Sequence, residues 1–365
     1  MNELVLYRKY RPREFSEIIG QDHIVRALTS ALESGRVAHA YLFSGPRGVG
    51  KTTIARLMAK ALNCAGTDKP CNKCDSCERF NKGQAVNLIE IDAASNRGID
   101  EIRELREGVR FSPSEGNYKT YIIDEVHQLT KEAFNALLKT LEEPPPHAVF
   151  VLATTELDKV PATIISRTQR YDFRRPTVAQ TANRLTQIAK KEGVKLDEDA
   201  SRLIALAAEG SMRDAESILG QIIAVEDKEI TRREVEEILG LPRREAAKKM
   251  FELIAKKDTS SALVLVQELN DAGHDLSYFS KLLMRYFRNA FFLKSNPALK
   301  VFVEEEMLPD EYECLAANLH FFSEDDLSRG LNVIFQNMQT FRRSPIPQLP
   351  LEITLIEIIN GKKTG

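Results

Sequence analysis

The clearest chemical pattern lies at residues 45–52, which read Gly-Pro-Arg-Gly-Val-Gly-Lys-Thr and match G-x-x-x-x-G-K-[ST]. Glycines allow backbone N–H groups to converge on phosphate oxygens, and the N-terminus of a following helix adds partial positive charge. Lys51 is expected to reach the β- and γ-phosphates, and the Thr52 hydroxyl to ligate Mg²⁺. The pattern predicts a nucleoside triphosphate site made of Gly45, Gly48, Val49, Gly50, Lys51, Thr52 and Thr53.

The sequence on either side of this loop fits the same site. Ahead of it, residues 40–44 form a short apolar run that is typical of a strand. Behind it, Ile54, Leu57, Met58 and Ala61 recur with the spacing of one helix face. A strand, a glycine-rich turn and a helix N-terminus together form an anion-binding cradle, so a chance glycine-rich turn is a poor alternative.

Four of the five cysteines form one cluster with the spacing C-x6-C-x2-C-x2-C. Two-residue spacing lets successive sulfurs turn toward one point, and four thiolates suit a tetrahedral structural Zn²⁺ site. The alternatives are a group of free thiols and an iron–sulfur cluster, although no fourth cysteine follows at the ferredoxin distance. Cys314 stands apart and fits a small buried side chain. The cluster is interpreted as a loop module, with zinc bound by Cys64, Cys71, Cys74 and Cys77.

Three further strand-like runs alternate with helical patterns, at residues 87–92, 121–124 and 149–153, and residues 170–173 are a candidate for the last strand. Near-continuous apolar strands separated by helices predict a parallel sheet that is covered on both faces. The fold class expected for this part of the chain is therefore α/β. Ligands of such sheets bind beyond the carboxyl ends of the strands.

Two acidic residues end one of these strands. Asp124 is expected to hold Mg²⁺, directly or through water, and Glu125 to orient and polarise the attacking water. Thr155 ends the neighbouring strand, where it is placed to hydrogen-bond that water or the γ-phosphate, although strand-end threonines are also common turn formers. His127 lies beside the acids and fits a structural role at a helix start.

The residues alone leave open the roles of two arginines and of an N-terminal segment. Hydrolysis builds negative charge on the γ-phosphate, and a guanidinium, often from a neighbouring subunit, stabilises that charge. Arg167 and Arg213 are candidates, although surface ion pairing is the better interpretation from spacing alone. Tyr10 and Pro12 lie in a basic, aromatic arm that either packs on the core or walls an adenine pocket.

Taken together, these motifs resemble the AAA+ motor subunits of bacterial replicative clamp loaders, the γ/τ family of DNA polymerase III. The resemblance is specific from Tyr7 to about Gly240. Beyond that point, the chain resembles the family in its length and helical content. The cysteine insertion sharpens it, because most other AAA+ proteins lack one. The matching stretches are residues 39–60, the cysteine cluster, and residues 88–100, 121–145, 152–155, 164–167 and 210–215.

The resemblance implies a role for each residue of the predicted site. Lys51 and Thr52 are similar to the Walker A pair of the family. Asp124 and Glu125 are similar to its Walker B pair. Thr155 matches the position called sensor 1.

The resemblance also bears on the arginines and the N-terminal arm. Arg213 matches sensor 2, and Arg167 matches the arginine that reaches into the adjacent subunit's ATP site. Thr168 stands where the family usually has cysteine, but the arginine is the chemically active member of that motif. The family binds adenine against the N-terminal arm, which favours Tyr10 and Pro12 as pocket residues.

The function that the resemblance implies is an ATP-hydrolysing motor subunit, which opens the sliding clamp and loads it onto primer–template DNA. The expected cofactors are ATP, Mg²⁺ and Zn²⁺. The expected partners are copies of this chain with δ- and δ′-type subunits in a five-subunit ring, the clamp and DNA. The alternatives are another AAA+ DNA remodeller of the branch-migration helicase type, and a nucleotide-binding scaffold subunit without hydrolysis. A solvated basic face is as good an interpretation as DNA contact for the candidates Arg97, Arg103 and Lys139.

The remainder of the chain is predicted to be helical. Residues 177–180 and 231–234 both fit helix capping boxes. The expected architecture is a P-loop AAA+ parallel-sheet domain at 1–175 with the cysteine module inserted at 64–77, then a small helical lid domain at 176–240. By resemblance, an all-α collar domain for oligomerisation follows at 241–365. Gly240-Leu241-Pro242 is the predicted boundary, and residues 361–365 are expected to fray.

Composition excludes several classes of protein. Hydrophobic residues make up 43% of the chain and charged residues 28%, which describes a globular protein. No apolar run approaches a membrane span, and the N-terminus lacks the features of a signal peptide, so a cytoplasmic location without membrane contact is expected. A net charge of −2 provides no global attraction to nucleic acid, so any DNA contact needs a local basic face.

Overall fold

A computed structural model describes residues 5–225, 228–240, 244–341 and 344–361. Contacts divide the chain into two compact units, unit 1 comprising Met1–Ile188 with Ala207–Gln221, and unit 2 comprising Ala189–Leu206 with Ile222–Gly365. Each unit is described by itself. Leu241 and Pro242 of the predicted boundary, and residues 362–365 of the tail, lie outside the described residues.

Unit 1 contains a five-stranded sheet in the order β2-β3-β4-β1-β5, and every neighbouring pair is parallel. The predicted α/β class is therefore confirmed. All residues of β1 and β4 are buried, as expected for central strands that are covered on both faces. The strands are β1 (Ala40–Ser44), β2 (Leu88–Asp92), β3 (Lys119–Asp124), β4 (Ala148–Thr154) and β5 (Gln169–Asp172).

Helices cover both faces of this sheet, and alternate residues of each strand point to opposite faces. On one face, Ile24 of α2 and Ile54 of α3 join the cluster around Phe43. On the other face, Ile102 of α5 and Leu137 of α6 join the cluster that includes Leu42 and Phe150. The helices that lie wholly in unit 1 are α1 (Leu6–Lys9), α2 (Asp22–Glu33), α3 (Lys51–Leu62), α4 (Asp75–Asn81), α5 (Ile99–Val109), α6 (Lys131–Glu142) and α7 (Ala162–Ile165), with 3₁₀ turns at Phe15–Glu17, Val126–Gln128 and Leu157–Lys159.

Three helices contain residues of both units: α8 (Val178–Glu192), α9 (Glu198–Ala207) and α10 (Met212–Ile223). The predicted capping box at the start of α8 is confirmed. The Gln180 backbone N–H donates to Oγ1 of Thr177 at 3.1 Å, and the Thr177 N–H donates to Oε1 of Gln180 at 2.9 Å. Gly210 separates α9 from α10 with φ of 82°, a left-handed conformation that glycine adopts without strain.

Unit 2 is mostly helical and has one core cluster of buried side chains. Phe251 lies at its centre, with ring centroids 5.0 Å from Phe322 and 5.7 Å from Phe287. The sequence did not predict its two short strands, β6 (Lys195–Leu196) and β7 (Glu229–Ile230), which pair in parallel. The helices are α11 (Arg232–Ile238), α12 (Arg244–Ala255), α13 (Thr259–Asp271), α14 (Leu276–Ser295), α15 (Lys300–Glu306), α16 (Pro309–Asn318), α17 (Glu324–Met338) and α18 (Leu349–Asn360), with 3₁₀ turns at Pro297–Leu299 and Leu319–Phe321.

The start of α11 confirms the second predicted capping box. The Thr231 N–H donates to Oε2 of Glu234 at 2.6 Å, and the Glu234 N–H returns a bond to Oγ1 of Thr231. Within the described part of the chain, no helix is both long enough and apolar enough to cross a bilayer.

We expect the substitution Gly330→Ala to destabilise unit 2, although alanine is ordinarily the better helix former by about 1 kcal/mol. A Cβ atom at Gly330 would lie 2.3 Å from Cε1 of Phe287, whose side chain is fully buried. Overpacking of this kind costs about 1–3 kcal/mol. Urea denaturation followed by circular dichroism measures the change, with Gln336→Ala at an exposed position of the same helix as the control. A Gly330→Ala variant as stable as the unchanged protein would contradict this packing.

Candidate active site and metal centre

A cavity of about 480 Å³ opens where the loop at residues 45–50 meets the carboxyl ends of the strands, and its lining residues all belong to unit 1. It brings together most of the predicted nucleotide site, including Gly48, Val49, Gly50, Lys51, Thr52 and Thr53 of the loop and helix. The other lining residues are Tyr7, Arg11, Pro12, Glu17, Ile18, Ile19, Arg47, Asp92, Ala94, Asp124, Glu125, Pro176, Arg184, Met212, Arg213 and Glu216.

The loop conformation depends on its glycines. Gly45, Gly48 and Gly50 have φ values of 143°, 75° and 100°, which side-chain-bearing residues rarely adopt. A Cβ atom on Gly48 would lie 1.9 Å from Oγ of Ser211, and the Gly48 carbonyl accepts a hydrogen bond from the Met212 N–H at 3.0 Å. The glycines therefore allow both the turn and a close contact with the start of α10.

Lys51 and Thr52 begin α3 and face the acids of β3. The Lys51 side chain is 6% exposed, and its Nζ atom donates to the carbonyls of Gly45 and Pro46, both at 2.7 Å. Burial lowers the pKa of Lys51, and the Glu125 and Asp124 carboxylates oppose this.

The hydroxyl of Thr52 donates to Oδ2 of Asp124 at 2.8 Å. A hydroxyl and a carboxylate in contact are the oxygen ligands that suit Mg²⁺ in a phosphate-loop site. The donor set therefore fits the predicted metal.

Glu125 adopts a left-handed backbone conformation, with φ of 48° and ψ of 45°. A conformation of this kind costs a non-glycine residue about 1–2 kcal/mol and is held by its surroundings. Oε2 of Glu125 accepts hydrogen bonds from the Thr155 hydroxyl at 2.9 Å and from the Thr155 N–H at 3.2 Å. Glu125 lines the cavity and Thr155 does not, so in this conformation Thr155 contacts the predicted catalytic acid from outside the cavity lining.

His127 supports the same strand ends. Its Nδ1 atom lies 3.0 Å from Oγ1 of Thr154 and 3.4 Å from Oε2 of Glu125, and its Nε2 atom lies 3.3 Å from Glu156. The side chain is 3% exposed and sits in the 3₁₀ turn Val126–Gln128. These contacts agree with the structural role expected for it.

Arg213 lines the cavity from α10. Its guanidinium lies 4.7 Å from the ring centroid of Tyr7, a cation–π contact. Hydrogen bonds from Arg213 and then Arg8 lower the pKa of Tyr7. Sequence reasoning missed Tyr7 as a cavity residue and selected Tyr10, whose side chain does not line the cavity; Pro12 of the same arm does.

Arg167 does not line the cavity and lies two residues beyond the end of α7. Its Nη2 atom forms an ion pair with Oε1 of Glu142 at 2.7 Å, and Nη1 donates to the Thr163 carbonyl at 2.9 Å. Its side chain is 35% exposed. An arginine that serves a neighbouring subunit is expected at a surface rather than in its own site.

The three DNA candidates are all exposed. Arg97 precedes α5, Arg103 pairs with Asp100 on α5 at 3.1 Å, and Lys139 lies on α6. Helices α5 and α6 pack against the same core cluster. The assignment of these residues to DNA contact stays a prediction.

Two further features of the cavity were missed. Asp92 ends β2 directly beside Asp124 in the strand register, and the rule that ligands bind beyond strand ends would have found it. Arg184 and Glu216 form an ion pair at 3.6 Å with side chains 8% and 7% exposed. Burial raises the pKa of Glu216 to about 7, against the opposing effect of Arg184. No local pattern indicated this pair, because its members lie on different helices.

The four clustered cysteines meet in space. Their sulfur atoms all lie within 4.8 Å of one another, as required for four ligands of one ion. Cys71 is the second cysteine of the cluster, and its backbone N–H donates to Sγ of Cys64, the first, at 3.2 Å. Hydrogen bonds from the backbone of Lys73 and Cys74 lower the pKa of Cys71 to about 6, which favours the thiolate that binds metals. The cluster was predicted to be a loop module, but part of it is helical, because Cys77 lies in α4.

A buried cation lies beside this cluster. Lys60 of α3 is 1% exposed, and its Nζ atom donates to the side-chain oxygens of Asn72 and Asn81 and to the Arg13 carbonyl. These acceptors are neutral, and a buried ammonium requires a negative charge nearby. Burial lowers the pKa of Lys60, while negative charge on Cys77, Cys64 and Glu14 opposes this. Four thiolates around Zn²⁺ carry net negative charge, so this surrounding fits a zinc site.

Comparisons with known proteins cover the whole chain. A family described as "DNA polymerase III, delta subunit" matches residues 20–177, and "DNA polymerase III clamp loader subunit, ATPase lid domain" matches residues 180–228. "DNA polymerase III subunits gamma and tau domain III" matches residues 230–364. These matches confirm the predicted class of architecture, a parallel-sheet AAA+ domain followed by a helical lid and a helical C-terminal domain. The residue bounds proposed for the three domains stay predictions.

Curated relatives agree with these families. DNA polymerase III subunit tau of Bacillus subtilis is 40% identical over 360 residues, which cover 98% of this chain and 63% of the relative. DNA polymerase III subunit gamma of Buchnera aphidicola (subspecies Schizaphis graminum) is 37% identical, and the match covers 100% of both chains.

Among solved structures, the Thermotoga maritima RuvB Holliday junction branch migration motor is similar at 21% identity and a TM-score of 0.49. That similarity covers 67% of this chain and 78% of RuvB. The family matches and the Buchnera relative, which the match covers over its full length, are the decisive findings. This chain belongs to the gamma/tau family of DNA polymerase III clamp-loader subunits.

Proposed function

We propose that this chain is an ATP-hydrolysing motor subunit of a bacterial replicative clamp loader. The observation that carries the proposal is the convergence of Lys51, Thr52, Asp124 and Glu125 on one cavity, with Thr52 and Asp124 in direct contact. That set supplies a phosphate cradle, Mg²⁺ ligands and a carboxylate for activating water. Family membership supports clamp loading as the purpose of the hydrolysis.

Each residue has a part in the proposed mechanism. The backbone N–H groups of Gly48 to Thr53 and the Lys51 ammonium hold the triphosphate. Bound Mg²⁺ would neutralise charge on the β- and γ-phosphates, with Thr52 and Asp124 as its protein ligands. Lys51 would exchange its bonds to the loop carbonyls for bonds to phosphate oxygens.

Glu125 orients and polarises the attacking water. In the present conformation its carboxylate accepts two hydrogen bonds from Thr155. We propose that Thr155 fixes the direction of this carboxylate and that Arg213 compensates charge on the γ-phosphate. We also propose that the adenine base lies against the N-terminal arm, where Pro12 lines the cavity.

The remaining partners follow from the proposed place of the chain in a ring. We propose a five-subunit assembly with δ- and δ′-type subunits and copies of this chain, in which Arg167 completes the site of a neighbour. ATP binding would organise the ring to open the sliding clamp, and contact with primer–template DNA through Arg97, Arg103 and Lys139 would trigger hydrolysis. The proposed location is the cytoplasm.

Zinc is the metal proposed for Cys64, Cys71, Cys74 and Cys77. A site with four thiolates is closed and structural, so its expected contribution is local stability. Three domains at 1–175, 176–240 and 241–365 are proposed for the chain, the last as the oligomerisation collar.

A branch-migration helicase is not favoured, because the family matches and full-length relatives are DNA polymerase III subunits. A scaffold that binds nucleotide without hydrolysis remains the second candidate. The two functions differ in ATP turnover by the reconstituted assembly.

We expect Glu125→Gln to lower kcat of the reconstituted assembly by a factor of about 100 or more, because water activation is lost. ATP binding should persist, whereas Lys51→Ala should lose binding as well. Phosphate release with and without sliding clamp and primed DNA measures both effects. Glu33→Gln, at an exposed position of α2, is the matched control. Absence of turnover, or a background rate that neither clamp and DNA nor Glu125→Gln changes, would favour the scaffold.

We expect Arg167→Ala to lower turnover about a thousandfold, the scale of a lost arginine that acts in trans. Arg26→Ala, an exposed arginine of α2, should have no such effect. Co-assembly of Arg167→Ala with Lys51→Ala subunits tests the direction of the contact. An intact phosphate loop would then meet an intact arginine at some interfaces, and turnover should partly recover. Mixed assemblies that stay as inactive as either variant would argue that Arg167 acts within its own subunit.

We expect the purified chain to contain about one zinc ion, and Cys74→Ser to lose it with a fall in melting temperature. Elemental analysis and thermal denaturation measure the two effects. Cys314→Ser lies outside the cluster and should retain the metal. Iron with visible absorbance in the purified chain would contradict the zinc assignment.

A further inference from the structure

The N-terminal arm, residues 5–12, forms part of the cavity wall and is held in place by helix α10. Tyr7, Arg11 and Pro12 line the cavity. Tyr7 lies 4.7 Å from the Arg213 guanidinium. Leu6 packs so closely on Gly220 that a Cβ atom there would be 3.3 Å from Cγ of Leu6. The start of α1 therefore contacts α10 at two places, near Arg213 and near Gly220.

A third connection runs through a buried guanidinium on α8. Nη2 of Arg184 donates to the Tyr10 carbonyl at 2.7 Å, and Nε lies 3.6 Å from Oε1 of Glu216. Glu216 follows Arg213 by one turn of α10. Both side chains of the ion pair are more than nine-tenths buried, and both residues line the cavity. One side chain thus bonds the backbone of the arm and the helix that carries Arg213.

We propose that Arg184 is a positioning residue of the nucleotide site, which ties the N-terminal arm to α10 so that these two walls of the cavity keep one spacing. The inference rests on the proposed function, because it concerns how this cavity holds a nucleoside triphosphate. It adds a determinant of nucleotide affinity to the residues that perform hydrolysis.

The chemistry of arginine suits this position. A planar guanidinium presents donors in several directions, so it bonds a carbonyl and a carboxylate together, whereas a lysine ammonium does so with less fixed geometry. Removal of Arg184 would leave the Tyr10 carbonyl without this donor and Glu216 without its cation. Buried groups left in this way are costly, and we expect the arm to shift so that they reach water.

In the described part of the chain, the hydrogen bonds and ion pairs that Arg184 forms involve Tyr10 and Glu216 and none of the residues proposed for hydrolysis. Loss of Arg184 should therefore weaken nucleotide binding while the reacting groups keep their arrangement. This predicts a change in KM with little change in kcat, a division that general destabilisation would not produce.

The test uses Arg184→Met, which preserves the side-chain length and removes the charge and the donors. Binding of a fluorescent ATP analogue to the full chain gives Kd, and turnover by the reconstituted assembly gives KM and kcat. We expect Kd and KM to rise about tenfold, as for the loss of a charge-assisted hydrogen bond, with kcat within about twofold of the unchanged protein.

Three further variants separate the contributions. Arg184→Lys should restore part of the affinity. Glu216→Gln keeps the bond from Arg184 to the arm, so its Kd should rise less than about threefold. Arg233→Met removes the exposed ion pair with Glu237 on α11 and serves as the control for loss of an arginine.

Arg184→Met with a lower melting temperature but an unchanged Kd would overturn the proposal, as would a fall in kcat at constant KM. If Arg184→Met does not fold, Arg184→Lys decides, and an affinity equal to that of the unchanged protein overturns the proposal. Failure of the unchanged chain to bind the analogue would instead refute the proposed function, and the inference with it.

Discussion

The hydrogen bond between the Thr52 hydroxyl and the Asp124 carboxylate joins the two halves of the candidate site. Thr52 belongs to the helix that follows β1, and Asp124 ends β3, two strands away in the sheet. The contact exists because all five strands are parallel, which places every carboxyl end at the same edge. The glycine turn, the buried lysine and the strained Glu125 all depend on that alignment.

Helix α3 connects this site to the cysteine cluster. It begins at Lys51, and Cys64 lies two residues beyond its end at Leu62. Lys60 bonds Asn72 of the cysteine module, Asn81 at the end of α4 and the carbonyl of Arg13. A metal bound by the cysteines would thus stabilise the far end of the helix whose N-terminus lines the cavity.

The candidate site also depends on a segment distant in sequence. Ala207–Gln221 belongs to the same compact unit as the sheet, and it carries Arg213 and Glu216 to the cavity. Gly48 permits this approach, since any side chain there would collide with Ser211. The phosphate loop therefore contributes to the contact with α10 as well as to anion binding.

The sequence by itself determined the glycine-rich loop, the acids at the end of β3, the four-cysteine cluster and the α/β class, because these depend on local spacing and periodicity. It also indicated both capping boxes, which are local hydrogen-bond patterns. Only the tertiary structure placed Tyr7 rather than Tyr10 at the cavity, held Glu125 against Thr155 and paired Arg184 with Glu216. It alone also paired β6 with β7 and left Arg167 outside its own cavity. These features join residues far apart in the chain, and their contacts depend on how helices pack, which no local pattern encodes.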